Sequence, residues 1–442
     1  MKIEKKHIAA LIIAGLGLGS CSLTAKYTVG GTLVGLTGTG LVLENNAGDS
    51  LALTGNGTFT FSTGIKNKDA YSVTVSTQPS NPTQTCTVRN GTGTIDKAAV
   101  SNVIVICTQP GQFAYVANRL SNDISAYVID SSTGELTPVA GSPFASGTTP
   151  TALTVDPNGV YLYAANNASS TVSSYTIDST SGALTATTVA IATGSEPDAI
   201  AMDPAGRYLF VANFGANTVS VFSVGNGGAL TAVTGSPFAV EVGPSSLQVD
   251  PLGNFLYVTN FSSADISVLA IDATTGALTS VAGSPFAAGT DPVSITIDPT
   301  GAFAYVANEG GGDISMYKVD SSTGGLTVVS SSPLATTSDP LALAADPQGR
   351  FIYAANVTAN NSLSSYSITP TSGLIAVATT VASGGTLPVS LAVDPSGLYL
   401  YAANQNSDTV SVFAIDQATG ALTAAPGSPF AADNQPRAIA ID

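Results

Sequence analysis

One short pattern, an aromatic residue followed by two small or β-branched residues and an asparagine, recurs seven times through the chain. Its aromatics are Tyr115, Tyr163, Phe210, Tyr257, Tyr305, Tyr353 and Tyr401, and its asparagines are Asn118, Asn166, Asn213, Asn260, Asn308, Asn356 and Asn404, always 47 or 48 residues apart. Asp-Pro-x-Gly recurs in step at Asp156, Asp203, Asp250, Asp298, Asp346 and Asp394, and a bare Asp442 stands where a seventh copy would begin. A unit of this length cannot bury a core alone and has to stack on its neighbours. Seven copies of four short strands specify a seven-bladed β-propeller over residues 111–442.

A single repeat shows the four strands. Residues 292–298 form the innermost strand a, 303–307 strand b, 314–319 strand c and 325–329 strand d, with Asp298-Pro-Thr-Gly301 turning a into b and residues 320–324 turning c into d. The repeats begin on strand b at Phe113 and end on strand a at Pro436 to Ile441. Strand 436–441 is therefore predicted to pair with strand 113–117, closing the ring and removing both free edges.

Ahead of the repeats, residues 27–108 alternate short apolar runs with turn residues such as Asn45-Asn46 and Gly55-Asn56-Gly57. This predicts a small antiparallel β-sandwich of immunoglobulin-like or transthyretin-like type. The all-β chain thus reads as a spacer module carrying a propeller. Residues 1–20 have the form of an export signal, with Lys2, Lys5 and Lys6 before an apolar run from Ile8 to Leu18. Leu18-Gly19-Ser20-Cys21 resembles a bacterial lipobox. That resemblance implies lipidation of Cys21, a tether over 21–26, and a partner membrane, in a diderm host the outer one, with the protein facing the periplasm or the exterior. Cys86 and Cys107 remain as a pair in one small exported module, and a disulfide closing a loop of about 20 residues is expected to contribute on the order of 3 kcal/mol.

Charge and composition exclude several classes. The formal net charge is −16, and removal of residues 1–20, with three Lys and one Glu, leaves −18. Nearly all of it lies in the repeats, where five bases face 24 acids. A polyanionic nucleic acid is therefore not an expected partner. The one histidine, His7, lies in the leader, so the exported chain has no imidazole for a Ser-His-Asp or Cys-His site.

The repeats resemble the lactonase-type seven-bladed propellers, the 6-phosphogluconolactonase-like family, whose repeats carry YVAN-like strands and Asp-Pro-x-Gly turns. The resemblance covers residues 111–442. It implies hydrolysis of a sugar lactone in the central channel by a His, a carboxylate and an Arg around the substrate, and here no repeat carries a His. YVAN repeats also mark surface-layer and cell-surface propellers with no known chemistry.

Internal repetition separates scaffold from site. The repeated Asn, the Asp-Pro-x-Gly carboxylates and the c–d turn aspartates Asp130, Asp178, Asp272, Asp320 and Asp416 read as turn builders. Ser-Pro-Phe at Ser142, Ser236, Ser284 and Ser428 reads as a d–a loop wedge. The d–a and b–c loops share one mouth, and the charges that break the pattern there are Glu196, Asp198, Asp291, Asp339 and Arg437. Arg119, Asp123, Asp265, Glu309, Asp313 and Asp408 are placed farther out, with Arg119 and Arg437 meeting on the closing blade.

Three readings follow. Glu196 or Asp198 acts as general base with Arg437 as electrostatic clamp; or Arg119, Glu196, Asp198, Asp291, Asp339 and Arg437 bind a glycan, protein or small molecule, with Ca²⁺ on the carboxylates as a further option; or the charges only keep the surface soluble. The leading expectation is a non-covalent binding or adhesion module, with lactone hydrolysis second and a structural envelope component third.

Overall fold

The computed structural model describes residues 25–442 apart from 37, 81–83, 109–111, 188, 337 and 358–360. The leader, the lipobox and Cys21 lie outside the described residues.

Alternating apolar residues that face neighbours on both sides build seven radial sheets, each with strand a innermost. In the fifth blade the strands are Pro292–Ile297, Phe303–Asn308, Asp313–Val319 and Leu326–Val328, all antiparallel. Strand b is buried along its whole length in six of the seven blades, because it is flanked by sheet on either face and by strands within its own sheet. The first blade takes its strand a from the chain's last segment, Pro436–Ile441, which pairs antiparallel with Phe113–Asn118 in a register that sets Ala114 opposite Ile441 and Val116 opposite Ile439. The Asp442 carboxylate accepts hydrogen bonds from the backbone N–H of Gln112 (2.6 Å) and Phe113 (2.8 Å). It does there what Asp250 does inside the chain, where one oxygen accepts from Asn254 and Phe255 N–H, both at 2.6 Å.

The Ser-Pro-Phe segment is a strand as well as a wedge. Phe144–Ala145 resumes pairing with the start of strand c, while Phe144 packs into the core between the first two blades. The Ser142 hydroxyl accepts from Ala126 N–H at 2.8 Å. The sixth repeat, which lacks the motif, runs strand d unbroken as Ile375–Ala382 with a register shift at Ser365/Tyr366, so continuous pairing replaces the break.

The N-terminal unit has two four-stranded sheets around one core that includes Leu33, Leu43, Phe59, Val73 and Val105. Cys86 and Cys107 stand opposite each other on an antiparallel pair and are joined by a disulfide. The expected all-antiparallel arrangement is corrected at the centre of one sheet, where Val100–Thr108 runs parallel to Val29–Val34. The long connection between the two strands permits this. Gly31 allows it sterically, since a Cβ there would lie 1.7 Å from the Val103 carbonyl oxygen.

This unit covers the propeller face that carries the Asp-Pro-x-Gly turns. Val34, Gly35, Ile106 and Cys107 share a cavity with Pro204, Pro251, Pro299 and Pro347, and Arg89 donates to the Gly349 carbonyl at 3.1 Å.

Candidate functional site

At the opposite end the channel opens into a cavity of about 550 Å³, built from residues at equivalent places in successive repeats. The residue after the strand-a proline forms an inner tier. Read round the ring from the first blade, this tier is polar over four blades (Arg437, Thr151, Asp198 and Ser245) and aliphatic over three (Val293, Leu341 and Val389). The residue after the YVAN asparagine forms an upper tier, of which Phe214, Phe261 and Glu309 line the cavity. Each upper-tier residue is tied back by its own N–H to the residue preceding a strand-a proline, as Phe214 N–H is to Glu196 O (2.8 Å) and Glu309 N–H to Asp291 O (2.9 Å). Below the inner tier every blade contributes one aliphatic residue, from Leu153 and Ile200 round to Ile439, and this uniform ring is scaffold, while Ser246, Ser294, Ser390 and Gln248 add polar atoms to the same wall.

Two of the four polar inner residues are committed to the frame. The hydroxyl of Thr151 donates to the Pro197 carbonyl (2.9 Å) and that of Ser245 to the Pro292 carbonyl (2.7 Å). Asp198 and Arg437 remain as the charged members. Asp198 keeps contact with the cavity while protein surrounds it closely, and this desolvation raises its pKa above the ordinary carboxylate value. The charges of Arg437 and Arg119 pull it back, and that of Glu196 adds to the rise. The ion pairs among the described residues are Lys68–Asp96, Arg207–Asp203 and Arg350–Asp346, none of them in this cavity. Arg437 and Asp198 therefore interact through space without closing a bridge. Glu309 also has a raised pKa, first through burial, then through Asp339 and Asp291, with Arg437 opposing.

The structure sorts the sequence-predicted charges. It brings Asp198 and Arg437 to the cavity, while Arg119 and Glu196 stay exposed on the rim and Asp291 and Asp339 stand half-buried beside Glu309. Glu309, expected farther out, lines the cavity. Asp123, Asp265 and Asp313 are corrected to scaffold, because each accepts a hydrogen bond from the side-chain amide of its repeat asparagine (Asn118, 2.7 Å; Asn260, 2.7 Å; Asn308, 2.6 Å). Asp408 likewise accepts from Gln435 N–H at 2.9 Å. Among the described residues no group of three or more His, Cys, Asp or Glu side chains is placed to hold a metal ion.

Residues 70–197, 189–290, 241–335 and 285–434 match the family described as Lactonase, 7-bladed beta-propeller. The chain belongs to this lactonase family. No curated protein matches it in sequence. Among solved structures, a provisionally designated 6-phosphogluconolactonase from Bacteroides fragilis is 21% identical with a TM-score of 0.68, covering 75% of this chain and 97% of its own. A second, from Bacteroides uniformis, has the same identity and score over 76% and 100%. The periplasmic gluconolactonase of Pseudomonas aeruginosa is 23% identical with a TM-score of 0.63 over 72% and 97%. At these identities the likeness to the lactonase structures is one of fold.

Phe214, Phe261 and the aliphatic inner residues were not singled out by the charge pattern. The signal that finds them is positional: the residue after the repeat asparagine is Arg119, Asn167, Phe214, Phe261, Glu309, Val357 and Gln405 in turn, variable in a motif otherwise nearly constant.

Proposed function

We propose that the protein is a lactone hydrolase of the cell envelope, with Asp198 as general base and Arg437 as the stabilising cation. The observation that carries this reading is a desolvated carboxylate without an ion-pair partner, facing an arginine across a cavity in a chain of the lactonase family. A carboxylate whose pKa is raised is a better proton acceptor near neutral pH than an ordinary one.

Asp198 takes a proton from water as the oxygen attacks the lactone carbonyl carbon. The carbonyl π electrons move onto oxygen, and the Arg437 guanidinium lowers the energy of that oxyanion. Collapse breaks the ring C–O bond, Asp198 returns its proton to the leaving alkoxide, and a hydroxy acid departs. No step needs an imidazole, so the missing histidine does not close the reaction. Membership of the lactonase family favours this reading over the expected non-catalytic binding module.

The test is base uptake at constant pH by the purified protein on a panel of lactones, each against its spontaneous rate. Asp198→Asn is expected to lower kcat by about 10²–10⁴-fold with a melting temperature at or above the parent's, and Arg437→Ala by about 10²–10³-fold with the protein still folded and its melting temperature at or below the parent's. Wild-type rates no faster than water would discard the proposal.

A further inference from the structure

We propose that the lactone acted on is uncharged and carries an apolar substituent, seated on Phe214 and Phe261 and along the aliphatic side of the inner tier. This rests on the hydrolase reading above. Phe214 and Phe261 occupy the same repeat position in adjacent blades, both half-buried, with ring centroids 6.3 Å apart and planes tilted by 54°. They form one apolar surface above the reacting groups, where the other repeats place polar residues or a valine. Val293, Leu341 and Val389 extend an apolar lining down the wall and offer no side-chain hydrogen bond.

Chemistry disfavours the two obvious alternatives. A polyhydroxylated ring needs donors and acceptors on all sides, and in the inner tier the Thr151 and Ser245 hydroxyl hydrogens are already engaged to backbone. The hydroxyls of Ser246, Ser294 and Ser390, lower in the cavity with Gln248, already accept from Ile295, Leu343 and Ile439 N–H. The side under the phenylalanines, beside Val293, Leu341 and Val389, therefore carries the fewest polar partners. Sugar hydroxyls facing the valines and the leucine would be desolvated and unpaired. A phosphorylated lactone meets the wrong field, since Asp198, Glu196, Asp291, Asp339 and Glu309 outnumber Arg437 and Arg119 around the mouth, and a dianion entering would be repelled. An alkyl or aryl substituent loses nothing to that field and gains from leaving water.

The experiment compares kcat/KM for γ-nonanoic lactone with that for γ-butyrolactone, the same ring without its pentyl chain, beside δ-gluconolactone and its 6-phosphate. The wild type should prefer the alkylated ring by at least ~10-fold and should turn over the phosphate slowest. The Phe214→Ala/Phe261→Ala pair should bring the ratio down toward one. Val293→Thr, which keeps the shape and adds a hydroxyl, should reduce it in the same direction, so the result does not depend on the double variant folding. A wild-type ratio near one, or faster turnover of δ-gluconolactone or its phosphate, overturns this inference and leaves the hydrolase reading standing. Turnover of no lactone at all overturns both.

Discussion

Asp198 sits where the energetic interests of stability and chemistry diverge. Its pKa is raised in the fold, so between the ordinary carboxylate value and the raised one folding takes up a proton, and stability falls as pH rises through that window. Asp198→Asn removes a desolvated charge while keeping the shape. It should therefore raise the melting temperature at neutral pH even as it slows the proposed turnover. As the proposed general base the residue must be ionised, so kcat/KM should fall on the acid side at a pH above the ordinary carboxylate range. Arg119 favours the ionised form and Glu196 disfavours it. Arg119→Gln is thus expected to move the acid limb to higher pH and Glu196→Gln to lower pH, each read from the pH profile of kcat/KM. Shifts of opposite sign, or none, would mean that the titrating group lies elsewhere. The part of this site legible in the sequence was its charges, because Asp198 and Arg437 interrupt repeated positions. Its depth was not legible. Asp291, Asp339 and Asp198 all flank strand-a prolines, but Asp198 follows its proline and reaches the cavity, whereas the other two precede theirs and stay beside Glu309. The two positions lie two residues apart on either side of the proline, and the irregular pairing just after it in each of these blades breaks the alternation of a regular strand, so only the residue after the proline turns into the cavity.

The blades themselves were legible strand by strand, because a propeller strand needs only local alternation and turn residues, and both recur. What joins one blade to the next was not, since it spans about 65 residues of sequence. The Tyr115 hydroxyl donates to the Gly182 carbonyl in the following blade (3.1 Å), Tyr163 to Gly228 (3.3 Å), Tyr257 to Gly324 (3.0 Å) and Tyr305 to Gly373 (3.1 Å). The same glycines receive the aromatic that opens strand b. A Cβ on Gly182 would lie 2.3 Å from the Phe113 ring and one on Gly324 2.5 Å from Phe255, which excludes any larger residue. The third blade keeps the stacking, Tyr208 against Gly276, but carries Phe210 in place of the donating tyrosine. Restoring the bolt with Phe210→Tyr should stabilise the protein by about 0.5–1.5 kcal/mol, measured by urea unfolding. A loss instead would show that this blade has closed over the space the hydroxyl needs. The parallel pairing within the N-terminal unit escaped sequence reasoning for the related reason that strand order in a sandwich is a long-range property, carried there by Gly31 and the Val103 carbonyl.

The two faces of the ring are put to different uses, and the whole molecule follows from that division. The upper loops vary from blade to blade and surround the cavity, whereas the lower turns are near-copies and present a regular surface of Asp-Pro-x-Gly corners. The N-terminal unit sits on that regular surface, leaving the upper mouth as the open approach to Asp198 and Arg437. Charge favours the docking, because the unit carries about as many bases as acids while the propeller is strongly acidic. Arg89 is the local contact. Burial lowers its pKa, Asp346 and Asp298 attract its charge, and Arg350, itself paired to Asp346, repels it. Its hydrogen bond to Gly349 is thus the specific gain, and losing it should loosen the junction without reaching the channel, since each unit has a core of its own. Arg89→Ala is expected to separate urea unfolding into two transitions, with the N-terminal unit leaving first and more readily at high salt, while kcat/KM stays at the parent value. A single unchanged transition would locate the docking energy in the apolar contact around Val34 and Ile106 instead. A changed kcat/KM would mean that the lower face shapes the cavity from below, through the aliphatic ring that the two ends of the channel share.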